Sequence, residues 1–237
     1  MRLRNILTQR RYGIIQVLSS IFFLHLKYCS NKLKNLLNNR KNILLKGKSK
    51  IGIHHSASLL LDNSKIIIHD GVLKIGIDFG YFDGGIYDPL KDSCRIHLKN
   101  STLTIYGNVS LYPGVIINAF NANITIRNGT IINGGSQLIA KKNIEIGEHC
   151  LIAQDVIIRD NDGHKLFISD NPMDECREVH IKNHCWIGQR VNILKGVTLE
   201  NNVIIAAGAI VSRSIKEGSL AAGIPARVIK ENVAWQA

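Results

Sequence analysis

From Ile181 to Val211 an aliphatic residue returns at every sixth position, as Ile181, Ile187, Ile193, Leu199, Ile205 and Val211. A second set of small or apolar residues trails it by four, at Cys185, Val191, Val197, Val203 and Ala209. Neither an isolated helix nor an isolated strand has a period of six. A repeat this short predicts a β-solenoid, whose coils stack over one continuous core with both sets pointing inward. Gly, Asn and Lys fill the polar places, where a chain must bend or face water. The pattern recurs upstream at Ile146, Ile152 and Ile158, at Ile126, Ile132 and Leu138, and at Ile105, Leu111 and Ile117.

Pairs of alternating apolar residues mark one face of each coil: Leu103 with Ile105, Ile124 with Ile126, Ile144 with Ile146, Val179 with Ile181, and Val197 with Leu199. Three short flat faces per coil follow. The last interval is 18 residues, the earlier ones are 20 and 21, and the step from Ile146 to Ile181 is 35. One coil therefore carries an insertion. It spans 159–178, reads RDNDGHKLFISDNPMDECRE and contains one histidine, His164. A long loop on a rigid scaffold is the first place to look for chemistry.

Charge changes the picture at one end only. The net charge is +12, yet residues 1–50 hold twelve Lys and Arg with no Asp or Glu, while the remainder holds eighteen of each sign. The excess is local and carries no nucleic-acid motif, so no nucleic-acid partner is expected. Ile14, Ile15, Leu18, Ile21 and Phe22 fall at helical spacing, resumed by Leu33, Leu36 and Leu37. The apolar run from Ile14 to Leu26 contains Gln16, Ser19, Ser20 and His25, too short and polar to span a bilayer, and no small-x-small cleavage site follows it. Two readings stay open: a basic amphipathic segment, residues 1–45, resting on an anionic membrane face, or a helical pair packed on the solenoid or a partner subunit. Five cysteines in no CxxC pair argue against a disulfide framework and for a reducing, cytoplasmic compartment. The expected organisation is a basic helical segment at 1–50, irregular coils at 51–100 with an insertion at 78–95, the repeat proper at 101–216, and a C-terminal cap at 217–237.

The segment from Val179 to Lys230 resembles the hexapeptide-repeat acyltransferases. WIG at Trp186–Gly188, AAGAIVSRSI at Ala206–Ile215 and AAGIPARVIK at Ala221–Lys230 match that family in order and spacing, and with the upstream coils the resemblance covers about residues 100–232. It implies an all-β solenoid, a left-handed parallel β-helix, homotrimeric, that moves an acetyl group from acetyl-CoA. The handedness comes from the resemblance, since general priors favour right-handed crossovers. Within the family the chain looks most like sugar O-acetyltransferases of the galactoside and maltose type and those that decorate surface polysaccharides.

By this resemblance His164 is the catalytic histidine, with one residue more between it and the repeat than in the galactoside pattern. An imidazole, whose ordinary pKa is about 6.5, suits removal of a proton from a sugar hydroxyl as it attacks the thioester. Asp160 and Asp162 are candidates to orient it, or simply solvate the loop. The oxyanion calls for a backbone N–H. Gln189, Ala207, Ser212, Arg213, Arg227 and Lys230 are carried over to donor binding, with the last three cations suited to the phosphates of CoA. Trp186 either meets the saccharide acceptor or acyl group or packs between subunits, and Asn133 aligns with an acceptor-contacting asparagine. His164, His180 and His184 do not reproduce the three-histidine zinc spacing of a carbonic-anhydrase branch, so no metal is expected. The expected activity is acetylation of a sugar hydroxyl in a bacterial capsule, lipopolysaccharide or precursor. The alternatives are N-acetylation of an amino sugar nucleotide, for which no N-terminal Gly-rich strand-turn-helix is visible, and a non-catalytic binding scaffold.

Overall fold

The computed structural model describes residues 40–54, 57–76 and 93–236. Residues 1–39 of the expected helical segment and most of the 78–95 insertion lie outside these residues, while residues 40–50, expected in that segment, enter the first coil instead. From a short 3-10 turn at Arg40–Asn42 the chain enters a stack of parallel coils beginning with the strand Ile43–Lys46. Each coil contributes one short strand to each of three sheets. Two have seven strands, and the third has nine because the C-terminal hairpin extends it.

Repeat spacing becomes register. On the first face Leu103, Ile124, Ile144 and Val179 are successive partners, and Ile105, Ile126, Ile146 and Ile181 form the adjacent column. The sixfold set from Ile181 to Val211 and its trailing set are all at most 1% exposed. Alternation within a strand sends one side chain in and the next out, so like stacks on like over the whole length. Main-chain bonds join neighbouring coils, as from Gly147 N–H to the Ile181 carbonyl at 2.7 Å. Corners need a left-handed backbone. His149, His184 and Asn202 supply it at φ of 54°, 56° and 59°, and Gly129 and Gly208 at 74°.

Gly188 meets a different demand. A Cβ there would lie 2.6 Å from the backbone nitrogen of Ala207 in the next coil, so the glycine of the WIG motif permits close stacking. Cys94, Cys150 and Cys185 are buried and unpaired, acting as small apolar fillers. Burial pushes the Cys94 thiol up to about 11. At Cys185 the hydrogen bond with Cys150, then burial, pushes the thiol up.

After the last coil, Ser219–Gly223 and Ala226–Glu231 form an antiparallel hairpin on the second face. The tail then returns across the stack, and the indole N–H of Trp235 donates to the His184 carbonyl at 2.9 Å. Among the described residues, no helix is long and apolar enough to cross a membrane.

Candidate active site

The 159–178 segment leaves the corner between the third and first faces. It folds as an antiparallel arm, tipped by Phe167–Ile168 against Asn171–Pro172 and closed at its base by a bridge between Asn161 and Cys176. Leu166, Phe167, Ile168 and Met173 are 46–56% exposed, an apolar tip with no cover in one chain.

The base is held rigidly. Asp160 is fully buried, and its carboxylate accepts the backbone N–H groups of Lys141, Lys142 and Asn143 at 2.7–2.8 Å and the Asn161 amide at 2.9 Å. Both oxygens are thereby committed to the preceding coil. The expectation that Asp160 orients His164 gives way to one in which it fastens the arm, because a buried carboxylate needs these donors. Asp162 faces another partner, the Lys195 ammonium at 2.5 Å, and Lys195 also donates to the Asp174 carbonyl. On the other side Lys141 pairs with Glu175 at 2.6 Å. Two lysines from flanking coils thus grip the two strands of the arm.

That grip sets a pH window. The Lys141 hydrogen bond holds the Glu175 carboxyl below its ordinary value, and Glu175 in turn raises Lys141. The lowered carboxyl contributes stability above its unfolded pKa and loses it as pH falls through the folded value. The raised ammonium contributes below its unfolded pKa and loses it as pH rises through the folded one. The pair therefore pins the arm between the titration of the lowered carboxyl and that of the raised ammonium, a window that includes neutral pH. Glu175→Gln is expected to speed proteolytic nicking of the arm severalfold at pH 7, a difference that shrinks as falling pH protonates the lowered Glu175 carboxyl. Equal nicking of both proteins at pH 7 would remove the pair from this role.

His164 lies on the outgoing strand of the arm, exposed, with no hydrogen bond to a carboxylate among the described residues. Ser212 and Arg213 occupy the same corner two coils on, also exposed. Asn133, Gln189 and Ala207 fall on the opposite edge of the third face. There the Asn133 and Gly188 amides bond to the Ile152 and Ile205 carbonyls, and the Gln189 side chain donates to Gln154 at 3.2 Å. Arg227 and Lys230 stand exposed on the terminal hairpin, opposite Ala222 and Leu220. Among the described residues, Arg213, Arg227 and Lys230 have no ion-pair partner, so their charges are open to an anion. One chain thus places the assigned residues along two edges and a hairpin, and does not gather them into one pocket.

Trp186, 40% exposed, projects from the second face and meets Trp235 at 6.1 Å and 44°. Trp235 stacks on His184 at 4.5 Å, and His184 Nδ1 is 3.0 Å from the Asn202 side-chain oxygen. His180 lies 3.4 Å from both Glu145 and Glu178. His164, His180 and His184 therefore occupy different parts of the prism, and no group of three metal-ligating side chains occurs among the described residues. Lys141 and Lys195 escaped sequence reading although both sit at corners flanking the insertion, a position the register could have marked. Trp235 left no signal, because only the return of the tail brings it to the coil that carries His184.

A three-faced prism of stacked parallel coils is the fold of the left-handed β-helix transferases. Residues 178–213 match the family model described as bacterial transferase hexapeptide (six repeats). A polysialic acid O-acetyltransferase of Neisseria meningitidis is 32% identical over 165 residues, covering 68% of this chain and 77% of that protein. One from Escherichia coli O1:K1 is 34% identical over 144 residues, covering 60% of this chain, and this chain spans 44% of its length. The crystal structure of the polysialic acid O-acetyltransferase OatWY matches with a TM-score of 0.58 at 23% identity, over 82% of this chain and 90% of that one, a likeness of fold. The chain belongs to the hexapeptide-repeat acyltransferase family.

Proposed function

We propose that the protein is an acetyl-CoA-dependent O-acetyltransferase acting on a sugar hydroxyl of a surface polysaccharide, or its precursor, with His164 as general base. The observation that carries this is the arm: it emerges between two stacked coils and holds one exposed imidazole through a buried carboxylate and two lysine clamps. The relatedness to polysialic acid O-acetyltransferases supports the acceptor class.

In the proposed reaction the acceptor oxygen attacks the thioester carbonyl while His164 removes its proton. The tetrahedral intermediate collapses, the C–S bond breaks, and the CoA thiolate leaves and takes that proton from the imidazolium. Arg213, Arg227 and Lys230 meet the donor phosphates, while Ala207 and Gln189 line the pantetheine on a neighbouring copy. Asp162, clamped by Lys195, holds the strand carrying His164. Trp186 and Asn133 serve the acceptor side. The division of these residues between separate edges supports a homotrimer in which two copies complete each site, and the exposed apolar tip of the arm supports the same contact. The basic segment 1–45 supports a peripheral position on the cytoplasmic membrane face.

The test is CoA release by the purified protein over glycans and amino-sugar nucleotides, with anionic-vesicle co-sedimentation and light scattering on the same preparation. Hydroxyl acetylation, sedimentation lost on deleting residues 1–39, and a trimeric mass are expected. Acetylation of an amine would replace the O-acetyl reading, and absence of both turnover and CoA binding would leave a scaffold. Sedimentation unchanged by the deletion would remove the membrane role, and a monomer would remove the shared site.

A further inference from the structure

Beside the catalytic arm, the outer surface of the third face carries a groove of about 460 Å³ lined in part by Leu60, His97, Asn118, Phe120, Ile139 and Lys141. Four of these are one outward column: Leu60, His97, Asn118 and Ile139 are successive partners in register, and the next rung is Arg159. Four steps of about 4.8 Å carry this column along the prism to the root of the arm. The groove therefore runs lengthwise and ends at Ile139 and Lys141, one rung short of Arg159, where the Lys141 ammonium also donates to the Gly163 carbonyl at 3.5 Å.

At that end stands an unsatisfied group. Arg159 is half-buried, pointing outward from a strand whose central residue points in. Its Nε is, among the described residues, the one buried side-chain polar atom without a hydrogen-bond partner. A guanidinium N–H kept from water and left unmatched is costly, and such groups in native proteins call for an explanation. Its Nη2 lies 3.8 Å from the point where a Cβ on Gly163 would stand, which places the charge beneath the residue preceding His164. The nearby carboxylates are taken: Asp160 by backbone amides, Asp162 by Lys195, Glu175 by Lys141.

We propose that Arg159 closes an acceptor subsite along this groove and binds the carboxylate of an acidic saccharide, so that a hydroxyl of the same chain is presented to His164. The proposal deepens the O-acetyltransferase reading and rests on it. A planar guanidinium fits a carboxylate through paired N–H donors, which supply the missing partner. Lys99, 5.7 Å above the Phe120 ring, adds positive charge at the rim beside Asp62, while the Lys141 charge is matched by Glu175. His97 and Asn118 offer hydrogen bonds, and Leu60, Phe120 and Ile139 offer apolar surface to sugar ring faces. The donor phosphates compete for Arg159 in principle, but the cations assigned to them lie on later coils and the terminal hairpin, and this column runs the other way.

The experiment compares wild type, Arg159→Lys, Arg159→Ala and Leu60→Glu. The probes are sialic-acid and uronic-acid oligosaccharides and their neutral, carboxyl-reduced counterparts. Binding without acetyl-CoA is read by calorimetry, followed by steady-state kinetics for each substrate. Arg159→Ala is expected to weaken binding of the acidic oligosaccharide about ten- to a hundredfold and raise its KM to match. The reduced oligosaccharide and the KM for acetyl-CoA should be unchanged, and Arg159→Lys should restore part of the loss. Leu60→Glu, a surface change at the far end, should weaken long acidic chains severalfold and leave short ones alone. A rise in the acetyl-CoA KM instead would assign the guanidinium to the donor. Equal weakening of acidic and reduced oligosaccharides would remove the carboxylate, and a fall in oligomeric mass with Leu60→Glu would give the groove to a second copy; each of these overturns the proposal. Arg159-dependent binding without turnover in wild type would leave the subsite standing and count against the acetyltransferase reading alone.

Discussion

Replacing His164 with Ala is expected to lower kcat about 10²- to 10⁴-fold while leaving acetyl-CoA affinity within about threefold of wild type. The range is that of a lost general base, since the hydroxyl must still shed its proton as it attacks and only water remains to take it. Donor binding should survive because the cations assigned to CoA lie on other coils and the exposed His164 side chain makes no hydrogen bond among the described residues. A modest drop, below about tenfold, would mean that another group takes the proton. Loss of donor affinity together with turnover would mean that the imidazole binds CoA and does not serve as base. The measurement is single-turnover CoA release with saturating acceptor, beside equilibrium binding of CoA to the same two proteins.

Asp160→Ala is expected to cost about 3 kcal/mol of stability, because three backbone N–H groups and one amide would lose a charged acceptor inside the fold. Solenoids do not always unfold in one step, so a melting temperature alone is a poor gauge. Hydrogen exchange is sharper: protection of the Lys141, Lys142 and Asn143 amides should collapse in the mutant, and turnover should fall because the arm no longer holds His164 in place. Asn should rescue little, since its NH₂ would face N–H donors. Had Asp160 oriented His164 directly, the same change would lower kcat and leave those amides protected. Protected amides with reduced kcat would restore the orienting role.

The parts of the site that could be read in advance differ physically from those that could not. His164 was legible because an interval of 35 residues, in a repeat that from residue 101 onward otherwise counts in 18 to 21, exposes an insertion, and the insertion holds a single histidine. The role of Asp160 was not, because proximity in sequence says nothing about which way a carboxylate points. It turns toward residues 17 to 19 positions earlier, across one coil. Coils before residue 100 were blurred for a related reason. Their strands run to five residues, as in Ser58–Asp62 and Lys65–His69, and the step between coils is 22 to 23 and then 36 to 37, so the sixfold count slips although the inward columns continue from Ile51 and Leu73.

What the sequence by itself determined is the solenoid, its three faces, the inward columns and the position of the inserted arm. A stacked coil makes each residue's environment depend on neighbours at a fixed separation, so periodicity alone carries the fold. What only the tertiary structure decided is which polar side chains meet: Asp160 under the arm, Lys141 and Lys195 on its flanks, Arg159 unmatched beside Gly163, and Trp235 folded back onto His184. Those contacts join residues 1 to 51 positions apart, and their partners are set by the direction a side chain takes at a corner, which no repeat encodes.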